Sequence, residues 1–140
     1  MLDNTDKKIL DELKKNSRIT MKELGEKVHL TGQATSTRVS RLEEKGIIKG
    51  YTIDIDERKV GNSVHVMLEI HTKSTHHNPY LFFIDSQDKY ILHNYKVSGD
   101  CCYVLECKFP SNEVLDEFLI ELNRHVNYKL MIIIDDKVKK

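Results

Sequence analysis

Apolar positions in the first half of the chain recur at helical spacing. Ile9, Leu10 and Leu13 stand at i, i+1 and i+4, which puts one apolar stripe on a helix from about Asn4 to Lys15, ended by Asn16-Ser17. Leu24 and Val28 continue the pattern in a second helix that opens at Thr20-Met21-Lys22-Glu23. A threonine followed three residues later by a glutamate reads as a capping box, in which each side chain satisfies a free backbone donor of the other residue. Leu30 packs in the short turn that follows. Thr31 is placed to cap a third helix over about Gly32 to Lys45, with Thr35, Val39 and Leu42 on its inner face and Gly46 as its C-terminal cap. From Ile47 to Ile55 the chain is β-prone and glycine-punctuated, so a wing or an exit strand is expected there.

The second half alternates with the period of a strand. Val64 to His71, Tyr90 to Val97, Cys101 to Phe109 and Tyr128 to Ile134 read as strands, with Ser98-Gly99-Asp100 as the turn between the middle two. Asn78-Pro79 opens a helix to about Ser86, with proline at its first position. Pro110-Ser111 opens another, whose apolar face is Leu115, Phe118, Leu119 and Leu122. The order βαββαβ is that of a ferredoxin-like split βαβ unit. Helices cover one face of such a sheet, and a second subunit is the usual cover for the other. The expected chain is therefore α+β. A winged-type helix-turn-helix domain over 1–55 is followed by a linker over 56–62 and a βαββαβ assembly domain over 63–140.

Composition narrows the class. With 140 residues, 39% hydrophobic and 31% charged, the chain has an ordinary soluble composition and suffices for one average domain or two small ones. No apolar run approaches the ~20 residues that span a bilayer, and the opening MLDNTDKKIL lacks the apolar core of a signal peptide. No membrane partner is expected, and the expected location is cytoplasmic. Cys101, Cys102 and Cys107 are odd in number and expected on one strand, so they read as reduced and packed. Neighbours on a strand point to opposite faces, which makes Cys101-Cys102 a poor metal clamp. His76-His77 has no third ligand nearby in sequence, so neither a metal nor a required cofactor is expected.

Charge matters through its distribution. The 22 basic and 22 acidic residues cancel over the whole chain. Between Lys14 and Lys49, however, nine basic residues face four acidic ones, a net +5, whereas from Gly61 onward nine face eleven, a net −2. A basic module joined to a slightly acidic one suits a DNA reader with a separate assembly or sensing domain, and double-stranded DNA is the expected partner. On the third helix Thr31, Gln33, Ser36, Thr37 and Arg41 avoid the apolar face. Glutamine can pair bidentately with adenine and arginine with guanine, while hydroxyls reach phosphates or bases. Arg38 has two readings: a phosphate contact, or a brace for a glutamate of its own domain. No nucleophile–base spacing and no phosphate-cradling glycine loop is present, which argues against an enzyme.

With both halves placed, the chain resembles the Lrp/AsnC family of bacterial and archaeal regulators. Leu2-Asp3 with Asp6 and Ile9-Leu10 matches the family's opening, and Asn16 to Thr20 with Leu24 its first turn. Arg38-Val39, Arg41-Leu42-Glu43, Gly46-Ile47-Ile48 and Gly50-Tyr51 match its recognition helix and exit strand. The resemblance implies a sequence-specific transcriptional regulator with a RAM-type second module that forms homodimers, often octamers, and commonly binds an amino acid between subunits. It also carries the DNA-contacting role onto Thr31, Gln33, Ser36, Thr37, Arg38 and Arg41. Two departures stand out. Thr31-Gly32 replaces the serine-proline that usually opens the recognition helix. Gly99-Asp100-Cys101-Cys102 replaces a glycine-aspartate-x-aspartate turn beside the effector pocket, so Cys102 stands where a carboxylate is common. Gly99 and Asp100 either form only the turn or, with the backbone of Cys101 and Cys102, hold an amino-acid effector. An effector-independent architectural protein that bends DNA is the alternative function.

Overall fold

A computed structural model describes residues 1–138 of the chain. The fold separates into two compact units, with the boundary between Asp54 and Ile55. The first contains α1 (Asn4–Lys15), α2 (Met21–Val28) and α3 (Gly32–Glu44). Ile9, Leu13, Ile19, Leu24, Val28, Val39 and Leu42 form its core, with Leu10, Leu30 and Ile48 packed against it. One polar side chain, Thr35, is fully buried, and its hydroxyl donates to the Thr31 carbonyl at 2.8 Å. That bond removes the desolvation penalty that an unpaired buried hydroxyl would carry.

The helix starts are chemically distinct. α1 carries a complete capping box, which the sequence pattern placed on α2 instead: Asp3 Oδ1 accepts from the Asp6 amide at 2.7 Å, and Asp6 Oδ2 accepts from the Asp3 amide at 3.5 Å. At α2 only half of the expected box forms. Thr20 Oγ1 accepts from the Glu23 amide at 3.1 Å, but the Glu23 carboxylate takes the Thr20 hydroxyl proton at 2.9 Å instead of reaching the Thr20 amide. Thr31 caps α3 as expected, accepting from the Ala34 amide at 3.1 Å. Gly46 follows α3 in the left-handed region at φ 72°. The expected strand over Ile47 to Ile55 does not form among the described residues. A strand needs a ladder partner, and the described residues supply none there, so Tyr51, Ile53 and Ile55 stay exposed.

The second unit is a four-stranded sheet of order β2-β3-β1-β4, built from β1 (Val64–Thr72), β2 (Ile91–Lys96), β3 (Tyr103–Phe109) and β4 (Val126–Ile132). All three pairings are antiparallel, with Val66 opposite both Cys107 and Ile132. Helices α4 (Asn78–Ser86) and α5 (Asn112–Leu122) complete the βαββαβ order. Buried Val66, Leu68 and Ile70 of β1 share a core with Tyr103, Leu105, Cys107 and Phe109 of β3, Tyr80 and Ile84 of α4, and Leu115, Phe118 and Leu122 of α5. The alternate residues of β1, from His65 to His71, point to the other face, which neither helix of the unit shares with this core.

Several boundaries differ from the sequence pattern, three of them with a consequence. β3 starts at Tyr103, so Cys101 and Cys102 lie in the preceding bend and the opposite-face argument does not apply to them. The bend is closed by the Val97 amide donating to the Cys102 carbonyl at 3.1 Å. β4 starts at Val126 because Val126 pairs with Thr72 at the end of β1. His77, not Asn78, occupies the cap position of α4, and its side chain makes no cap bond. Among the described residues no helix is long and apolar enough to cross a membrane.

The turn between α2 and α3 depends on one glycine. The Leu30 amide donates to the Gly25 carbonyl at 2.9 Å, and His29 adopts the left-handed region at φ 61°. A Cβ on Gly25 would lie 2.5 Å from the Leu30 carbonyl oxygen and 3.0 Å from Thr35 Oγ1. In an exposed helix interior, Gly→Ala gains about 1 kcal/mol. Here the sign reverses. Gly25→Ala is expected to lower the stability of the first unit by about 1–3 kcal/mol through overpacking against backbone, read as a lower thermal midpoint. An unchanged or higher midpoint would show slack in the turn.

Candidate nucleic-acid interface and effector turn

The outward face of α3 follows from its inner one. With Thr35, Val39 and Leu42 buried, a 3.6-residue period turns Gln33, Ser36, Thr37, Ser40 and Arg41 to solvent, and all five are exposed. The Gln33, Ser36 and Arg41 side chains have no hydrogen-bond or ion-pair partner among the described residues. The other two hydroxyl candidates are partly committed. Thr31 Oγ1 accepts from the Ala34 amide, which leaves its proton to donate, and Thr37 donates to the Gln33 carbonyl at 3.1 Å, which leaves its lone pairs. Lys22, Lys45 and Lys49 are exposed in the same unit.

Arg38 differs from its neighbours on the helix. Its Nη1 donates to Asp3 Oδ2 at 2.7 Å and to Asp6 Oδ1 at 3.1 Å. It therefore braces α3 against the first turn of α1, through two aspartates where the sequence suggested a glutamate. The Arg38 hydrogen bond, with help from the Asp6 amide, holds the Asp3 carboxyl below the usual range. Asp3, Asp6, Arg38, Arg41 and Lys45 share the lining of a small cavity of about 180 Å³ in this unit. An Asp-x-x-Asp pair before the first apolar stripe was the available sequence signal for this arrangement.

In the second unit, Gly99 and Asp100 sit exposed at the β2–β3 turn, and Gly99 has φ 147°, a value that disfavours any side chain. A Cβ there would meet nothing within 4 Å, so the backbone of the turn lies open. Cys101 and Cys102 are half-buried. Cys102 joins a polar chain that no local pattern announces. Its Sγ lies 3.4 Å from Thr72 Oγ1, which lies 3.2 Å from His77 Nε2, and His77 Nδ1 lies 3.0 Å from the Tyr103 hydroxyl. Hydrogen bonding to Thr72 lowers the Cys102 thiol pKa, whereas burial pushes the Cys107 thiol up to about 12. Thr72 ends β1, His77 stands at the cap position of α4 and Tyr103 opens β3, and the β1–β3 register, with Ile70 opposite Tyr103, brings the strand ends together. His77 is thus engaged by a threonine and a tyrosine, and His76 is exposed in the adjoining loop.

The face of the sheet opposite the core carries its own chemistry. His65 Nε2 meets Glu106 Oε2 at 2.6 Å across β1 and β3, and Met67 faces Met131 across β1 and β4. His71 Nε2 is buried with no hydrogen-bond partner among the described residues.

Residues 2–49 match the family model for winged helix-turn-helix DNA-binding domains. The chain is 62% identical to the HTH-type transcriptional regulator LrpA of Bacillus subtilis (strain 168) over 134 residues, which span 96% of this chain and 98% of that relative. The solved structure of B. subtilis LrpC matches with a TM-score of 0.93 and 31% identity, covering 100% of this chain and 99% of that one. A transcriptional regulator from Neisseria meningitidis, solved as a complex with L-methionine, has the same fold with a TM-score of 0.88 at 23% identity, covering 99% of this chain and 94% of that one.

The lowered Asp3 pKa makes the first unit acid-sensitive. A depressed carboxylate contributes stability above its unfolded pKa of about 3.9 and loses it as pH falls through the folded value. The thermal midpoint of the wild-type unit should fall as pH drops below about 4, and Asp3→Asn should flatten that part of the profile. Parallel profiles for the two proteins would remove the ion pair from the account.

Proposed function

The chain belongs to the Lrp/AsnC family of helix-turn-helix transcriptional regulators, and on that premise we propose that it binds specific DNA sites as a dimer or higher oligomer, reading bases with the outward face of α3. The observation that carries this reading is that Gln33, Ser36 and Arg41 are exposed on one helix face without partners in their own unit. Side chains in that state reach a base edge without first breaking a bond. Thr31 and Thr37 add a hydroxyl proton and lone pairs suited to phosphate or base contact.

Self-association is supported by what one chain leaves unfinished. Tyr51, Ile53 and Ile55 are exposed residues of a β-prone segment without a partner strand. The sheet face opposite the core, where Met67 stands across from exposed Met131, is also free to take a second copy. A two-fold dimer places two reading helices about one DNA turn apart on a roughly palindromic site.

The turn at Gly99, Asp100, Cys101 and Cys102 is proposed as the place where an amino acid or similar small molecule modulates assembly. Its open backbone supports this, as does the L-methionine held by a regulator of the same fold. The Cys102 thiol, bonded to Thr72 where the family commonly has a carboxylate, favours the effector-independent architectural reading. Calorimetry against the twenty amino acids separates the two. A micromolar ligand that shifts the solution mass supports modulation, and no ligand leaves the architectural protein.

The test of the reader is binding to the duplex upstream of the protein's own coding region. Arg41→Ala and Gln33→Ala should each cost about 1–3 kcal/mol of specific affinity, measured by fluorescence anisotropy. If both variants bind that duplex and a shuffled one as the wild type does, α3 does not read DNA with this face.

A further inference from the structure

We propose that Asp3 and Asp6 are specificity-positioning residues, which hold Arg38 away from DNA phosphates and leave Arg41 as the free arginine of α3. The inference rests on α3 being the DNA-reading helix. Arg38, Arg41 and Lys45 stand at i, i+3 and i+7, so they form one cationic stripe along the flank of that helix. Left alone, such a stripe binds any phosphate backbone and adds affinity without sequence information. In the structure its first member is already bound: the two aspartates take Arg38 Nη1 at 2.7 and 3.1 Å.

The two carboxylates have a duty of their own, because together they form the capping box of α1. Sited beside the reading helix and unpaired, they would repel phosphate. Arg38 neutralises them, and they in turn occupy Arg38. For Arg38 to reach a phosphate, it must give up two charge-assisted hydrogen bonds and leave two carboxylates facing a polyanion. Arg41, one turn further along the same flank, has no acidic partner among the described residues and carries no such penalty. The arrangement thus subtracts one cation from sequence-independent binding while leaving another available to a base.

Salt dependence counts phosphate contacts directly, since each adds about 0.9 to the slope of log K against log salt. The experiment is a double-mutant cycle in the full-length protein: wild type, Arg38→Gln, Asp3→Asn/Asp6→Asn, and the triple variant. Each is titrated by anisotropy with the upstream duplex and with a shuffled duplex between about 50 and 200 mM salt. Asparagine caps a helix about as well as aspartate, and the thermal midpoint reports whether each variant folds.

The expected result is coupling. In the Asp3→Asn/Asp6→Asn background Arg38 should contribute about one phosphate to the slope, equivalent to about a 3.5-fold greater loss of affinity across that salt range. In the wild-type background it should contribute far less. The ratio of upstream to shuffled affinity should fall in the aspartate double variant and recover in the triple. Equal effects of Arg38→Gln in both backgrounds, or none in either, overturn the proposal. Should the double variant not fold, a loss of about one phosphate from Arg38→Gln alone overturns it, and a loss well below one supports it. Arg41→Gln is run alongside. If it leaves upstream binding intact, the fault lies with the reading helix and not with the aspartate pair.

Discussion

The contact on which the placement of α3 depends is the close approach of backbone to backbone at Gly25. The Leu30 amide reaches the Gly25 carbonyl at 2.9 Å, and the Leu30 carbonyl lies where a Cβ of residue 25 would be. With no side chain in the way, α2 and α3 meet at a turn short enough for Thr35 to be buried, bonded to Thr31 and sealed against the glycine. Burying Thr35 settles the rotation of α3 about its axis. Val39 and Leu42 follow it inward, and Gln33, Ser36 and Arg41 are turned outward by helical period alone. A local packing constraint therefore decides which side chains are available for chemistry.

Charge is organised around that geometry. Aspartates in the first turn of α1 satisfy free amides and complement the positive end of the helix dipole. The same carboxylates face α3, where an excess of cations is needed for DNA. Arg38 resolves the conflict locally, because one guanidinium bridges both carboxylates. The basic character of the Lys14–Lys49 window is consequently less evenly available than a charge count suggests. Arg38 is committed within the unit, whereas Arg41 on the same helix stays exposed and without a partner among the described residues.

Elements with strong periodicity were legible in the sequence. The bounds of α1 follow from an apolar stripe ended by Asn16, the extent of α4 was marked within a residue by Asn78-Pro79, and the inner face of α3 was visible in Thr35, Val39 and Leu42. Ends set by pairing were not. β4 begins at Val126 because Thr72 is there to receive it, and β3 begins after Cys102 because Val97 closes the bend. The strand expected over Ile47 to Ile55 failed for the same reason: alternation describes a candidate, and a partner makes it a strand. At the sites, residue types on one helix could be placed by period. The chain from Cys102 through Thr72 and His77 to Tyr103 joins residues from different strands and loops, and no window of sequence contains it. Gly25 offered a signal, since a glycine inside an otherwise amphipathic helix needs a reason. The reason itself, the Leu30 carbonyl, is visible only in three dimensions.

The uncommitted groups of the second unit bear on how a regulator of this design can respond to anything. A ligand changes DNA binding only through a difference in its affinity for two states of the protein. The turn at Gly99 to Cys102 lies in the second compact unit and α3 in the first. A ligand at the turn, as proposed above, biases packing within the second unit through Thr72 at the end of β1. β1 carries Thr72 toward the polar chain and His71, with its buried unpaired nitrogen, to the opposite face. Adjacent residues of one strand thus join the turn to the sheet face opposite the core. Under the proposed function, a ligand that shifts this strand end acts on assembly, and assembly sets how many copies of α3 meet DNA together.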